Sequence, residues 1–292
     1  MEKYPPTFSV VVPTFGRHRQ LGSCLQALAQ LDYPREFFEV IIVDDGSEIS
    51  AESILDSFRD KIDIQFVRQD HAGPATARNR GAQHAKKEFL AFTDDDCAPA
   101  SDWLRKLASR FQELPDHGIG GRILNSLTKN LFSSAGQLLT DYLYAYYHDS
   151  TGNVRFFASN NLAFPAKRFR EIGGFDQSFP LPAAEDRELC DRWLRKGYSL
   201  TYAPDVVVYH SHDLTFRTFW RQHFNYGRGA LFFQQIRPEP IRVEPLSFYL
   251  KLLQYPFRQS SRHGLMLSAL LALSQVANAT GFFWEKKSGR NP

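Results

Sequence analysis

Short apolar runs alternate with helical spacings along the first part of the chain. Phe8-Ser9-Val10-Val11-Val12 is a β-branched run stopped by Pro13, and Leu21, Leu25, Leu28 and Leu31 then recur at helical intervals until Tyr33-Pro34 breaks the pattern. Val40-Ile41-Ile42-Val43 reads as a second buried strand ending in Asp44-Asp45-Gly46-Ser47. A helical stretch from Ala51 to Phe58 leads to a third strand, Ile62 to Val67. Gly73-Pro74-Ala75 opens a helix running through Ala77-Arg78-Asn79-Arg80-Gly81 to Ala85, and the run Phe89-Leu90-Ala91-Phe92 follows. This rhythm predicts an α/β domain with a mixed, mainly parallel sheet flanked by helices. Ligands of open α/β sheets bind beyond the carboxyl ends of strands, so Thr14, Asp45 and Asp94 to Asp96 are expected to converge on one crevice.

The second half is less regular. Gly118 to Leu124 predicts a strand, and the run Tyr142 to Tyr147 serves either packing or an acceptor cleft. Phe156 to Phe164 carries Ser159-Asn160-Asn161, and Ile172-Gly173-Gly174-Phe175-Asp176 reads as a turn. Ala184-Glu185-Asp186 precedes a helix with Leu189, Trp193 and Leu194 on one face and Gly197 as its stop. Val206 to Tyr209 is a last buried strand, ending in His210-Ser211-His212. From Gly264 to Trp284 no charged residue occurs, a length able to cross a bilayer, although Ser268, Ser274, Gln275, Asn278 and Thr280 weigh against insertion. With Leu246 to Phe257 and the basic flanks, this region predicts either two amphipathic helices on a membrane surface or a hairpin packed on the preceding domain.

Composition changes this picture little: 23% charged and 43% hydrophobic residues in 292 describe a globular protein. A net charge of +3, with no long basic stretch among the first 210 residues, points away from nucleic acid. Basic residues gather late, at Arg217, Arg221, Arg228, Arg237, Arg242, Arg258 and Arg262, then Lys286, Lys287 and Arg290, which favours an anionic partner such as a membrane surface or phosphate groups. Three scattered cysteines, Cys24, Cys97 and Cys190, fit reduced thiols in a cytoplasmic compartment, and residues 1–7 carry no signal-peptide pattern, so the protein is expected not to be secreted.

Thr93-Asp94-Asp95-Asp96, directly after a buried run, is the strongest chemical signal. Like charges at one sheet edge repel unless a cation or ionised donors offset them, so the cluster suggests a divalent metal site. The alternative is a solvated turn capping the helix that starts near Ser101-Asp102-Trp103. Hard oxygen ligands favour Mg2+ or Mn2+ over zinc.

The ordered set Val10 to Arg17, Val43-Asp44-Asp45-Gly46-Ser47, Ala77 to Gly81, Asp94 to Asp96, Gly173-Gly174-Phe175-Asp176 and Glu185-Asp186 resembles the inverting glycosyltransferases of family 2, over about residues 8 to 230. The resemblance implies the GT-A nucleotide-diphospho-sugar transferase fold with a helical C-terminal extension, divided as a catalytic domain at 1–230 and an extension at 231–292 that is a candidate for membrane association. It further implies a nucleotide-diphosphate sugar donor and a glycan or lipid-linked acceptor, as in bacterial-type surface glycan assembly at the inner face of the cell membrane.

Residue by residue, the resemblance makes Asp96 a metal ligand, Asp94 a contact of the ribose or of a metal-bound water, and Asp95 a contact of the donor sugar. His210 is expected as a second metal ligand, which suits Mn2+, and His212 would point to the same side of an extended chain. Asp186 is the expected general base. Glu185 either orients the acceptor or merely begins a helix, with Gly174 and Trp193 also on the acceptor side. Asp45 would bind the nucleobase, with Pro13 and Thr14 shaping the loop around it, and Arg78 would either contact the nucleotide or pair with nearby aspartates. The Gln-x-x-Arg-Trp motif of processive synthases is not found, since Arg192-Trp193 follows Leu189-Cys190-Asp191, so a single addition is favoured. A sugar nucleotidyltransferase would show a basic Gly-rich loop after the first strand, and a dehydrogenase a GxGxxG. A catalytically inactive sugar-nucleotide-binding or scaffold protein is the remaining alternative.

Overall fold

β1 (Phe8–Thr14) and β2 (Phe38–Asp44) are buried along their whole length, which is what unbroken β-branched and aromatic runs require when both faces of a parallel sheet are covered. The computed structural model describes residues 5–147, 155–179, 181–237, 244–259 and 262–288. In chain order the elements are β1, α1 (His18–Leu28), β2, α2 (Glu52–Leu55), β3 (Ile64–Arg68), α3 (Pro74–His84), β4 (Phe89–Phe92), β5 (Cys97–Pro99), α4 (Trp103–Glu113), β6 (Gly118–Asn125) and α5 (Leu131–Tyr147). Then follow β7 (Leu162–Pro165), α6 (Ala166–Glu171), α7 (Glu185–Arg195), β8 (Leu200–His210), α8 (Phe216–Ile236), α9 (Leu246–Arg258) and α10 (Gly264–Ser288).

The strands form one sheet in the order β3-β2-β1-β4-β7-β6-β8-β5. β1 runs parallel to β2 and β4, and β2 to β3, whereas β4 with β7, β6 with β7 and β5 with β8 are antiparallel. Register places Thr14 opposite Asp44 and Val11 opposite Phe92, so the carboxyl ends of β1, β2 and β4 share one edge. The β1–β4 ladder stops at Val11, two residues before Pro13, which has no N–H to continue it. The two strand ends are thereby released toward different partners.

β5 is an addition to the sequence reading. Three residues including a proline show no alternation, and only pairing with β8 makes Cys97-Ala98-Pro99 a strand. The helix expected over Ala51 to Phe58 is regular only from Glu52 to Leu55.

The chain divides into two compact units, residues 1–124 with 152–177 and 186–211, and residues 125–151 with 178–185 and 212–292. The first holds the sheet. The second holds α5, α8, α9 and α10 and is interleaved with the first in sequence. α8 joins the C-terminal helices because glycines let it touch α10: a β-carbon on Gly227 would lie 1.8 Å from the Asn278 carbonyl oxygen, and one on Gly281 1.9 Å from that of Phe224. Arg228 pairs with Glu285 at the same crossing.

Tyr142 of α5 packs with Phe248, Leu252 and Leu271, and its hydroxyl donates to the Phe248 carbonyl at 2.7 Å, so it serves packing in this unit. α10 is long and apolar enough to cross a membrane by length and composition, yet it packs against α8, α9 and α5.

His223 of α8 is buried against the edge of Phe219, and among the described residues its Nε2 has no hydrogen-bond partner. Burial, with a smaller push from His212, lowers its pKa to about 4. The unfolded chain takes this proton below about 6.5 and the folded chain only below about 4, so stability falls as pH drops through that window, by roughly 3 kcal/mol. Urea melts of wild type and His223→Gln across this range should show a shallower acid slope in the variant.

Candidate active site

The end of β2 assigns its two aspartates different work. Asp44 accepts the Ser47 and Ala51 N–H groups at 3.0 and 3.3 Å and so folds its own turn. The Asp45 carboxylate turns the other way. It accepts the Ala72 and Gly73 N–H groups at 2.9 Å each and the Gln69 amide at 2.8 Å, with His71 Nδ1 at 3.0 Å. Asp45 thereby fixes the loop leading into α3. Beside it, half-exposed Phe15 stacks on exposed His71 with centroids 4.2 Å apart, an aromatic face that sequence reading did not single out.

The three aspartates after β4 each face a different partner. Asp94 Oδ1 meets Arg78 at 2.8 Å. Asp95 accepts the Thr14 hydroxyl at 2.8 Å and the Arg17 guanidinium at 3.2 Å. Asp96 meets the same Arg17 nitrogen at 3.0 Å and His210 Nε2 at 3.2 Å. Asp95 is 3% exposed, and β5 separates the cluster from α4, so the solvated helix-capping turn is not what forms. Burial pushes the Asp95 carboxyl up to about 6, Arg17 pulling it down and Asp96 adding to the rise.

His210 arrives from far along the chain. The β5–β8 ladder sets it opposite Cys97, and the Ser211 N–H donates to the Asp96 carbonyl at 2.8 Å. Burial opposes its protonation, yet the hydrogen bond and charge of Asp96 prevail and raise its pKa. Among the described residues, ligand atoms of Asp96, Cys97 and His210 lie within 4.8 Å of one another; His212 is not in the group. Burial and the neighbouring carboxylates push the Cys97 thiol well up, which disfavours a thiolate site. A carboxylate oxygen and an imidazole nitrogen remain, a donor set that fits Mn2+ and, less well, Mg2+.

Asp186 lies in the first turn of α7. Its carboxylate accepts the Arg187 N–H at 2.7 Å and the Ser159 N–H at 3.3 Å. Burial raises its pKa, with these bonds and the charge of Arg78 opposing. Arg78 thus bears electrostatically on both Asp94 and Asp186, and its guanidinium lies 5.5 Å over the Phe175 ring. Glu185 is buried, and Ala184 just before it has φ of +73°, a left-handed conformation unusual for a residue with a side chain.

Two expected acceptor contacts are corrected. Trp193 is 0% exposed and its indole donates to the Ser199 carbonyl at 2.9 Å, so it is core, in keeping with the helix face it shares with Leu189. Gly174, with φ of +69°, is buried where a β-carbon would lie 2.4 Å from Asn79 Oδ1. The Asn79 amide bonds both the N–H and the carbonyl of Phe175, at 2.8 and 2.7 Å, and Arg192, held by Glu188, bonds the Gly174 carbonyl. Both residues hold the turn rather than face a ligand.

Arg17 stands in the quoted motif without an assigned role, because no local pattern reveals which carboxylates it meets. Its single positive charge spans Asp95 and Asp96, where a divalent cation would also be attracted. Arg17→Gln is therefore expected to tighten binding of Mn2+ alone, by about fivefold, on the scale of roughly 1 kcal/mol for a screened charge pair. Electron paramagnetic resonance of free Mn2+ measures this; weaker binding would mean that Arg17 organises the carboxylates instead.

A family model described as glycosyl transferase family 2 matches residues 9–173. Glycosyltransferase AglE of Haloferax volcanii is 26% identical over 229 residues, 77% of this chain and 73% of that protein. Hyaluronan synthase of Pasteurella multocida is 30% identical over 69% of this chain but only 24% of its own length. Among solved structures, the mannosyltransferase PcManGT from Pyrobaculum calidifontis in complex with GDP-Man and Mn2+ superposes with a TM-score of 0.62 at 21% identity, covering 98% of this chain and 80% of that one. That likeness establishes the GT-A fold.

Proposed function

The chain belongs to glycosyl transferase family 2, and we propose that it takes its sugar from a nucleotide sugar and makes a single, inverting, metal-dependent transfer to a hydroxyl acceptor. The observation that carries this reading is the pairing of Asp96 with His210 at 3.2 Å, with the partly buried Asp186 carboxylate joined to the same group of residues through Arg78.

Asp96 and His210 would hold the divalent cation, which supplies positive charge for the diphosphate leaving group. Asp94 and Asp95 would line the ribose and donor sugar, with Thr14 and Arg17 fixing Asp95. Asp45 and the Phe15–His71 face would receive the nucleobase. Asp186 accepts the acceptor hydroxyl proton while that oxygen attacks the anomeric carbon from the side opposite the diphosphate, and the breaking C–O pair leaves with the β-phosphate. A carboxyl whose pKa is raised holds the proton better than an exposed aspartate, which suits this task. Glu185, next in the chain, would orient the acceptor.

A glycan or lipid-linked acceptor in surface glycan or glycolipid assembly, met at the cytoplasmic face of the membrane, completes the reading. Calorimetric titration with UDP, dTDP, GDP and CDP, with Mn2+ and with chelator, tests it. Chelator-sensitive binding of one nucleotide supports the transferase and identifies the donor class. Binding of none overturns it in favour of a scaffold.

A further inference from the structure

α9 and α10 each bury one side and leave an apolar stripe on the other. On α9, Leu246, Leu250 and Phe257 are exposed and fall within about 40° of arc at helical spacing. On α10, Leu265, Val276 and Phe283 fall within about 20°, flanked by exposed Met266 and Trp284, while Leu267, Leu271, Ser274, Ala277 and Gly281 are buried. Exposure of Leu265 reaches 78%.

The two helices form a hairpin. The Ser268 hydroxyl donates to the Leu253 carbonyl at 2.7 Å, and the Phe257 ring lies 2.8 Å from where a Gly264 β-carbon would be. Phe257, Leu265 and Met266 therefore gather at the tip, beside exposed Arg258 and Arg262.

Charge selects the occupant. From Leu246 to Trp284 there is no Asp or Glu, whereas Lys251, Arg258 and Arg262 flank the apolar stripe. A second copy docked by two-fold symmetry would bring these cations toward their own equivalents without an acid to offset them. An anionic lipid surface offers both an apolar layer and phosphates. The packing also bears on orientation: α10 lies against α8 at Gly227 and Gly281, and α8 carries Arg217, Arg221 and Arg228, so a spanning α10 would draw that charged helix toward the bilayer.

We infer that the α9–α10 hairpin is a membrane-contact surface that lies in the interface of an anionic leaflet, with Phe257, Leu265 and Met266 inserted and Arg258 and Arg262 at the headgroup phosphates. This deepens the lipid-side reading of the acceptor given above, and its test does not require transfer.

The full chain is sedimented with vesicles of phosphatidylcholine alone and of phosphatidylcholine mixed equally with phosphatidylglycerol. Binding is expected to the mixed vesicles, weakened about tenfold or more by Leu265→Ser with Met266→Ser. Arg258→Gln with Arg262→Gln should lower binding to the mixed vesicles alone, by about fivefold per charge. Nucleotide titration of the same proteins separates the two readings, since every variant should keep wild-type affinity. No vesicle binding with intact nucleotide binding overturns the membrane surface and leaves the transferase standing. Equal binding to both vesicle types, or a wild-type dimer that the Leu265/Met266 variant disperses, overturns it as well.

Discussion

Asp186→Asn is expected to lower turnover by about a thousandfold, the scale on which a positioned base contributes, while metal-dependent nucleotide affinity stays within about twofold. The asparagine keeps the shape and one acceptor oxygen for the Arg187 or Ser159 N–H, but has no site for the acceptor proton. Single-turnover rates beside nucleotide titrations separate the two effects. Near wild-type turnover would remove Asp186 as the base.

The same residue predicts the acid limb of the rate profile. Its carboxyl pKa lies above the ordinary 3.8 because burial disfavours the charged form, so activity is lost as pH falls through that raised value. The limb should be absent from the residual activity of the variant. The sign for stability is the reverse. A folded state that binds the proton more tightly than the unfolded chain loses stability as pH rises through the raised pKa, so removing the ionised carboxylate should leave the protein no less stable at neutral pH, apart from about 1 kcal/mol for a weakened N–H contact.

Asp96→Ala carries the second large effect. Nucleotide binding in the presence of Mn2+ should weaken by about a hundredfold or more, since a lost ligand exceeds the usual loss from removing a group behind one. Binding in chelator should change far less. The variant also removes the partner that raises the His210 pKa, so the imidazole titration, followed by NMR, should move down as burial prevails. His210→Ala should show a smaller loss with Mg2+ than with Mn2+. A variant that kept full chelator-sensitive binding would place the cation elsewhere.

Where periodicity and strand-end position carried the signal, the site could be read directly. Val10 to Val12 and Val40 to Val43 are buried runs whose register forces Thr14 and Asp45 to one edge, and Asp94 to Asp96 follow from β4 beside them. Features built by long-range pairing were hidden. β5 has no pattern of its own, the contacts of Arg17 are between residues more than 75 positions apart, and the Asn79–Phe175 clamp depends on a side chain imitating a strand. Trp193 misled because a motif neighbour suggested a ligand while its helix face already assigned it to the core. The place of α8 depended on two glycines, Gly227 and Gly281, whose spacing carries no hydropathy signal.

The pairing of Cys97 with His210 also has a consequence for biogenesis. The carboxylate half of the proposed cation site emerges from the ribosome more than 110 residues before the imidazole half, and the loop between them must close before both are in place. The stretch matched by the family model ends at residue 173, so it includes Asp96 but neither His210 nor Asp186. A nascent or truncated chain of that length has β1 to β7 but lacks β8 and the imidazole proposed as the second ligand. Acquisition of Mn2+ affinity during refolding should accordingly be among the last events, later than the appearance of β1, β2 and β4.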